Sequence, residues 1–270
     1  MSCEPFLWWA GGKRQLLPEL RKYVPKKMGT HHEPFAGGAA LFFDTTPQSS
    51  VLADTNRHLI ETYCEVRDNP HGLIEELGNP RFSNDEEHYY DVRRWSPTLR
   101  VERAARFLFL NRTCFNGLYR ENSSGQFNVP FGRYKLRFSA DSLRQQILDA
   151  SLALRSTLLC AQSFEQAEVS PGDFVYLDPP YWPVSATAKF TQYSAGGFSA
   201  AKQVQLRDKM IEWSGAGANC LASNADVPEV RELYAGFKLV EVQARRAINS
   251  NGEKRGKVGE LLIMAGPHYA

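Results

Sequence analysis

The sequence predicts an α/β fold built on a mostly parallel sheet, and three observations carry that expectation. Short apolar runs of strand length alternate with longer stretches of helical periodicity. The run Phe174-Val-Tyr-Leu177 is continuously apolar, as in a strand buried on both faces, and Asp178-Pro179-Pro180 halts it. Glycine pairs at Gly11-Gly12 and Gly37-Gly38 each precede a helical pattern, which lets backbone approach a ligand closely. A chain of 270 residues can form one large α/β domain, or one with an inserted second unit.

In chain order, Phe6 to Lys13 is aromatic, then glycine-rich, then basic, and it leads into a helical pattern over 13–23 that Pro18 kinks or shortens. Residues 28–32 are barely apolar and make a poor strand before Glu33-Pro34-Phe35. The apolar run after Gly37-Gly38 begins a helix. A second strand over 51–53 ends in Asp54, where an acidic side chain can hold ribose hydroxyls. Asp54 is equally placed to cap the helix that follows. Several helices are expected from Asn56 to about Leu110, among them 86–95 and 101–110.

The texture then changes. Asn116-Gly117 and Ser123-Ser124-Gly125 are turn chemistry for a hairpin, with aromatics, Asn and Arg around the turns. Arg reads guanine edges, Asn reads adenine, and an exposed aromatic such as Phe115 can wedge into a base stack. A helix over 139–154 and a strand over 157–161 follow, with Phe164 at the strand end, placed equally to flank a flat ring or to pack in the core. After the Asp178 strand comes a long polar loop over 182–198. A helix over 199–213, a strand over 219–222 ending in Ser223-Asn224, and a hairpin of 237–246 with 260–264 complete the pattern. That last pair implies an antiparallel edge.

The Asp178 stretch carries the chemistry. Proline forces extended geometry on the residue before it. Asp178 therefore stands at the carboxyl end of a strand, the edge at which open α/β sheets bind ligands. Its carboxylate and the Pro179 carbonyl are two fixed acceptors beside the aromatic face of Tyr181, a set that suits a planar group bearing an NH2.

Composition narrows the partners. Net charge is +2, so no global charge argument points to nucleic acid. Locally, Arg112, Arg120, Arg133, Lys135 and Arg137 crowd one stretch against Glu121 alone, and Arg245, Arg246, Lys254, Arg255 and Lys257 crowd another against Glu253. Such clusters suggest phosphate contacts or, equally, a solvated face that keeps the protein soluble. The five cysteines form no C-x-x-C pair, which predicts reduced thiols and a cytoplasmic-type compartment. Histidine spacing implies no metal, and no apolar run is long enough to span a membrane.

The ordered set Trp9-Ala-Gly11-Gly12-Lys13, Glu33-Pro34-Phe35-Ala-Gly37-Gly38, Asn116-Gly-Leu118-Tyr-Arg120, Gly125-Gln-Phe-Asn128-Val-Pro130-Phe-Gly132-Arg133-Tyr134, Asp178-Pro179-Pro180-Tyr181 and Arg246-Ala-Ile248 through Glu260-Leu-Leu resembles the DNA adenine-N6 methyltransferases, Dam-type, acting on GATC. Ser185 to Phe190 resembles the loop of the same family. The resemblance runs nearly end to end. It implies a Rossmann-like S-adenosylmethionine-dependent methyltransferase sheet over 1–55 and 145–270. A helical target-recognition domain over 56–144, carrying a β-hairpin, is inserted in it.

The resemblance further implies a cofactor site of Trp9, Gly12, Lys13, Phe35, Gly37, Gly38, Asp54, Ser163, Phe164 and Asp178, and a catalytic turn of Asp178, Pro179, Pro180 and Tyr181. DNA would be read by Phe115, Asn116, Leu118, Arg120, Asn128, Pro130, Arg133 and Tyr134. Trp8 departs from the pattern: members often carry a basic residue there, tied to reading the first guanine. That departure bears on how strictly the first base pair is read.

The expected reaction is methyl transfer from S-adenosylmethionine, giving S-adenosylhomocysteine, to N6 of an adenine flipped out of double-stranded DNA, with no metal, no membrane and no obligate protein partner. A prokaryotic or phage-encoded cytoplasmic enzyme is implied, with a restriction-modification role among those open to it. An RNA base N-methyltransferase and a catalytically silent DNA-binding protein on the same scaffold are the alternatives.

Overall fold

The computed structural model describes residues 3–9, 11–133, 138–182, 198–244 and 258–270. In chain order its elements are α1 (Leu17–Leu20), β1 (His31–Glu33), α2 (Ala40–Thr45), β2 (Ser50–Asp54), α3 (Arg57–Asp68), α4 (Pro70–Leu77), α5 (Glu86–Arg94) and α6 (Arg100–Thr113). There follow α7 (Ala140–Leu154), β3 (Thr157–Ala161), β4 (Phe174–Leu177), α8 (Ala200–Gly215), β5 (Asn219–Ala225), α9 (Pro228–Leu233), β6 (Lys238–Ala244) and β7 (Val258–Ala265). The chain divides into two compact units: Met1–Arg14, Gly37–Thr46 and Asp54–Ala161 form the first, and Gln15–Ala36, Pro47–Ala53 and Gln162–Ala270 the second.

The second unit is organised on a sheet in which the strands run β2-β1-β4-β5-β7-β6. β1 pairs parallel with β2 and β4, and β4 pairs parallel with β5. β7 runs antiparallel to both β5 and β6, as the final hairpin pattern implied. Every residue of β4 and β5 is buried. Leu206, Met210 and Trp213 of α8 share a core with Val175, Leu177, Cys220 and Ala222 of the sheet. Each such apolar side chain contributes about 1.5–3 kcal/mol when taken out of water.

β1 is the weak strand of the sequence and yet a central one. All three of its residues are buried. Carboxylates make this tolerable: His31 Nε2 lies 2.9 Å from Glu33 Oε1, and His32 Nε2 lies 2.9 Å from Asp173 Oδ2. Asp173 also accepts the backbone N–H groups of Thr30 and Ser170. A polar strand can be buried when its polar groups are paired.

The expected helix over 13–23 is instead three short pieces: a 3-10 turn Lys13–Leu16, α1, and a 3-10 turn Arg21–Tyr23. Pro18 falls in the first turn of α1, where its missing N–H leaves no gap, so the helix restarts there rather than kinks. The first unit holds the helices α2 to α7 and strand β3. No helix among the described residues is long and apolar enough to cross a membrane.

Candidate active site

The acidic corner in the second unit follows from strand register. β4 and β5 pair up to Leu177 opposite Ala222, so the next residues, Asp178 and Ser223, stand side by side. Ser223 Oγ donates to Asp178 Oδ1 at 3.1 Å, and the Tyr176 hydroxyl lies 3.2 Å from Ser223 Oγ. Ser223 has one proton to give, so Tyr176 is the donor to Ser223. Burial holds the Tyr176 hydroxyl well above its ordinary pKa, and the Asp178 charge adds to this, which keeps it a donor.

The turn after Asp178 is stapled from below. The Pro180 carbonyl accepts Gln203 Nε2 (2.9 Å), Gln203 Oε1 accepts Asn224 Nδ2 (3.2 Å), and Asn224 Oδ1 accepts the Trp182 N–H (2.9 Å). Pro179 is buried and Pro180 exposed. The Tyr181 hydroxyl donates to Glu260 Oε2 of β7 at 2.8 Å. Burial pushes this hydroxyl far up in pKa, with the Asp178 and Glu260 charges acting in the same direction. Ser223, Asn224, Gln203 and Glu260 carry no assigned role in the sequence reading. The polar pair Ser223-Asn224 ending an apolar strand was the one local signal for two of them.

Phe35 and Phe164 stack on each other in the same unit, with centroids 5.4 Å apart and planes at 27°, and Phe198 meets Phe35 edge-on at 5.5 Å. Phe164 is buried in the core rather than presented at a surface. Ser163 Oγ donates to Glu165 Oε2 at 2.8 Å and caps the short turn that carries Phe164.

The glycine turn belongs to the first unit. Asp54 Oδ2 accepts the Gly37 N–H (3.1 Å), and Asp54 Oδ1 accepts the Asn56 N–H (2.9 Å). Burial raises the Asp54 carboxyl, while those backbone donors pull it down. Asp54 is not the cap of α3. That cap is Asn56, whose Oδ1 accepts the Leu59 N–H, because the turn at Asp54-Thr55 aims the aspartate back at Gly37. Gly37 has φ +46°, and a Cβ there would meet the Trp9 ring at 2.8 Å. Tyr63 Oη donates to the Gly37 carbonyl at 2.9 Å. Gly38 also lies against Trp9. The Trp9 carbonyl accepts the Gly12 N–H, and Lys13 Nζ donates to the Gly11 carbonyl. Trp9 stacks in turn on Phe107 and Tyr119.

The hairpin, also in the first unit, is held by isolated bridges, Cys114 to Phe131 and Glu121 to Phe127. The Asn122 side chain accepts the Ser124 and Gln126 N–H groups to close its turn. Arg120 Nε donates to Asn128 Oδ1 at 2.7 Å, coupling the two arms. Phe115 is 46% exposed, Pro130 is exposed, and Leu118 is half-buried. Asn116 (φ 55°) and Arg133 (φ 51°) both hold left-handed backbone, a strain found at functional turns. Arg133 pairs with Glu86 on α5. Arg112 is no phosphate contact: it is buried on α6, donates to the Phe6 carbonyl, and lies 5.1 Å from the Trp8 ring. Asn111 clamps Trp8 by accepting its N–H and donating to its carbonyl. Tyr134, Lys135, Arg137, the loop 183–197 and the basic stretch 245–257 lie outside the described residues.

Residues 9–248 match the family described as D12 class N6 adenine-specific DNA methyltransferase. The chain is 41% identical over 271 residues to Type II methyltransferase M1.LlaDCHI of Lactococcus lactis subsp. cremoris, covering 97% of this chain and 95% of that protein. It is 37% identical over 289 residues to Type II methyltransferase M.MjaIII of Methanocaldococcus jannaschii (98% and 99%). It is 40% identical over 275 residues to a DNA adenine methylase of Haemophilus influenzae (98% and 95%).

Proposed function

Because the chain belongs to the D12 class N6 adenine-specific DNA methyltransferases, we propose that it methylates N6 of an adenine turned out of duplex DNA at GATC. The observation that carries this reading is the acidic corner: Asp178 is fixed by Ser223 at a strand end, with the Tyr181 ring tethered beside it. Extruding a base costs a few kcal/mol, which stacking on Tyr181 offsets. The N6 lone pair is delocalised into the ring, so the amine is a poor nucleophile. Acceptance of its hydrogens by Asp178 and the Pro179 carbonyl returns that pair to nitrogen.

S-adenosylmethionine, when bound, supplies an electrophilic sulfonium methyl. The residues present fit such a donor. Asp54, aimed at Gly37, retains acceptor capacity for ribose hydroxyls, and the left-handed Gly37 leaves no Cβ over the turn. Phe35 and Trp9 supply aromatic faces of the kind that stabilise an adenine ring or a cation, and Phe164 belongs to this set by backing Phe35. Gly12, Lys13, Gly38 and Ser163 complete the set assigned to the donor.

We assign target recognition to 56–144 and catalysis to 1–55 and 145–270. In the hairpin, Arg120 and Leu118 read bases, and Phe115, Asn116, Asn128, Pro130 and Arg133 make further base or phosphate contacts, as does Tyr134. Mapping N6-methyladenine in DNA from cells expressing the chain tests the proposal. Methylation at GATC that disappears in Asp178→Ala supports it; methylation at unrelated sites, or of RNA alone, overturns it.

A further inference from the structure

We propose that Glu260 is a positioning residue for methyl transfer, setting the plane of the Tyr181 ring against the extruded base. The inference rests on the reading of Tyr181 as the stacking platform and deepens it. Glu260 sits on β7 and is register-paired on both sides, opposite Ala225 of β5 and Val242 of β6, so its backbone is fixed by two neighbouring strands. Its side chain is buried at 8% exposure and accepts the Tyr181 hydroxyl at 2.8 Å. Burying a carboxylate is costly unless it is hydrogen-bonded. A carboxylate kept there serves as an acceptor that holds a donor in place, and the raised pKa of the Tyr181 hydroxyl keeps that donor protonated.

The geometry divides the tyrosine into two functions. The hydroxyl end is engaged with the sheet through Glu260. The ring is the part that the proposed stacking role sets against a planar ligand. Asp178 hangs from β5 through Ser223, and Tyr181 hangs from β7 through Glu260. The two groups that must bracket one base are therefore aligned by two adjacent strands of one sheet. A phenylalanine would offer the same stacking face with no tether, which gives the hydroxyl its purpose.

The test uses the full chain with Glu260→Gln, Tyr181→Phe, the double variant, and Tyr181→Ala. Steady-state methyl transfer to a GATC duplex is read together with the fluorescence lifetime of 2-aminopurine at the target position. Glu260→Gln and Tyr181→Phe are each expected to lower kcat about tenfold through lost orientation, with KM for the duplex nearly unchanged. Both should enlarge the long-lived, unstacked fraction of extruded 2-aminopurine. The double variant should be no worse than Tyr181→Phe alone, because both changes act on one contact, which glutamine weakens by losing the charge and phenylalanine deletes.

Unchanged kcat and lifetimes in Glu260→Gln and Tyr181→Phe, with Tyr181→Ala inactive, would overturn the positioning role and leave the stacking role standing. Multiplicative losses in the double variant would overturn it as well, since Glu260 would then act independently of Tyr181. Normal turnover by Tyr181→Ala would remove the stacking role itself. Should Glu260→Gln melt at a much lower temperature, Tyr181→Phe, which deletes a single oxygen, carries the same test.

Discussion

Ser223 Oγ donates to Asp178 Oδ1 across adjacent parallel strands, and the Tyr176 hydroxyl backs Ser223 from behind. A carboxylate oxygen tied in this way cannot rotate freely, so Asp178 presents itself in one orientation. Asp178→Ala is expected to abolish methyl transfer while leaving the thermal melt nearly unchanged, since Asp178 is only half-buried. Ser223→Ala should lower kcat by about tenfold, the scale of one hydrogen bond to a charged group. Transfer of labelled methyl to duplex DNA reads both; near-normal turnover in Asp178→Ala would remove it from the mechanism.

Gly37→Ala forces a side chain into left-handed backbone and places Cβ at 2.8 Å from the Trp9 ring. The backbone strain alone is about 1–2 kcal/mol. A lower Tm and weaker binding of S-adenosylmethionine are expected together, by calorimetry on the free protein and by titration. Tyr63→Phe, which removes the donor to the Gly37 carbonyl, should show the same pair of effects more mildly.

Arg120→Ala removes an exposed guanidinium that bridges to Asn128. Loss of one good base contact is expected to cost about 1–3 kcal/mol of discrimination between GATC and its single-base variants. Binding to unrelated duplex should change far less. Equal losses on all sequences would make Arg120 a phosphate contact.

Trp8→Lys replaces a ring lying 5.1 Å from Arg112 with a like charge. The cation–ring attraction is worth about 0.5–2 kcal/mol, so the melt should fall. Methylation of sites altered at the first base pair should fall relative to GATC, because a cation suits a guanine edge and an indole ring does not.

His32 is held below its ordinary value of 6.5 by burial, which penalises the charged form, while the hydrogen bond to Asp173 opposes this in part. The unfolded chain therefore binds the proton more readily. The stability His32 contributes is complete above pH 6.5 and is lost as pH falls from there through the lower folded value. A melt followed between about pH 7.5 and about pH 5.5 should decline, and His32→Asn should flatten the decline.

The corner at Asp178 was legible because proline imposes local geometry that no tertiary contact can undo. Asp54 was legible for its place at a strand tip, though its choice between capping α3 and bonding Gly37 depended on how the turn folds back. Ser223 and Glu260 were not legible as partners of Asp178 and Tyr181, being 45 and 79 residues away in sequence. β1 was hard to read for a different reason. Its histidines are buried with one ring nitrogen of each, Nε2, paired to a carboxylate, from Glu33 and from Asp173 far along the chain. Arg112 shows the converse, a basic residue in a polar stretch that folding turns inward toward Trp8.

β7 lies between β5 and β6, although β6 precedes it along the chain. A ribosome therefore releases β6 before the strand that must receive it exists. Until β7 emerges, β5 keeps an open flank and β6 has no ladder to join, so nascent chains spend that interval with an adhesive edge exposed. Glu260 arrives on that same late strand. The tether of Tyr181 thus forms only once β7 has been made, and no chain that stops short of Glu260 can align its aromatic platform.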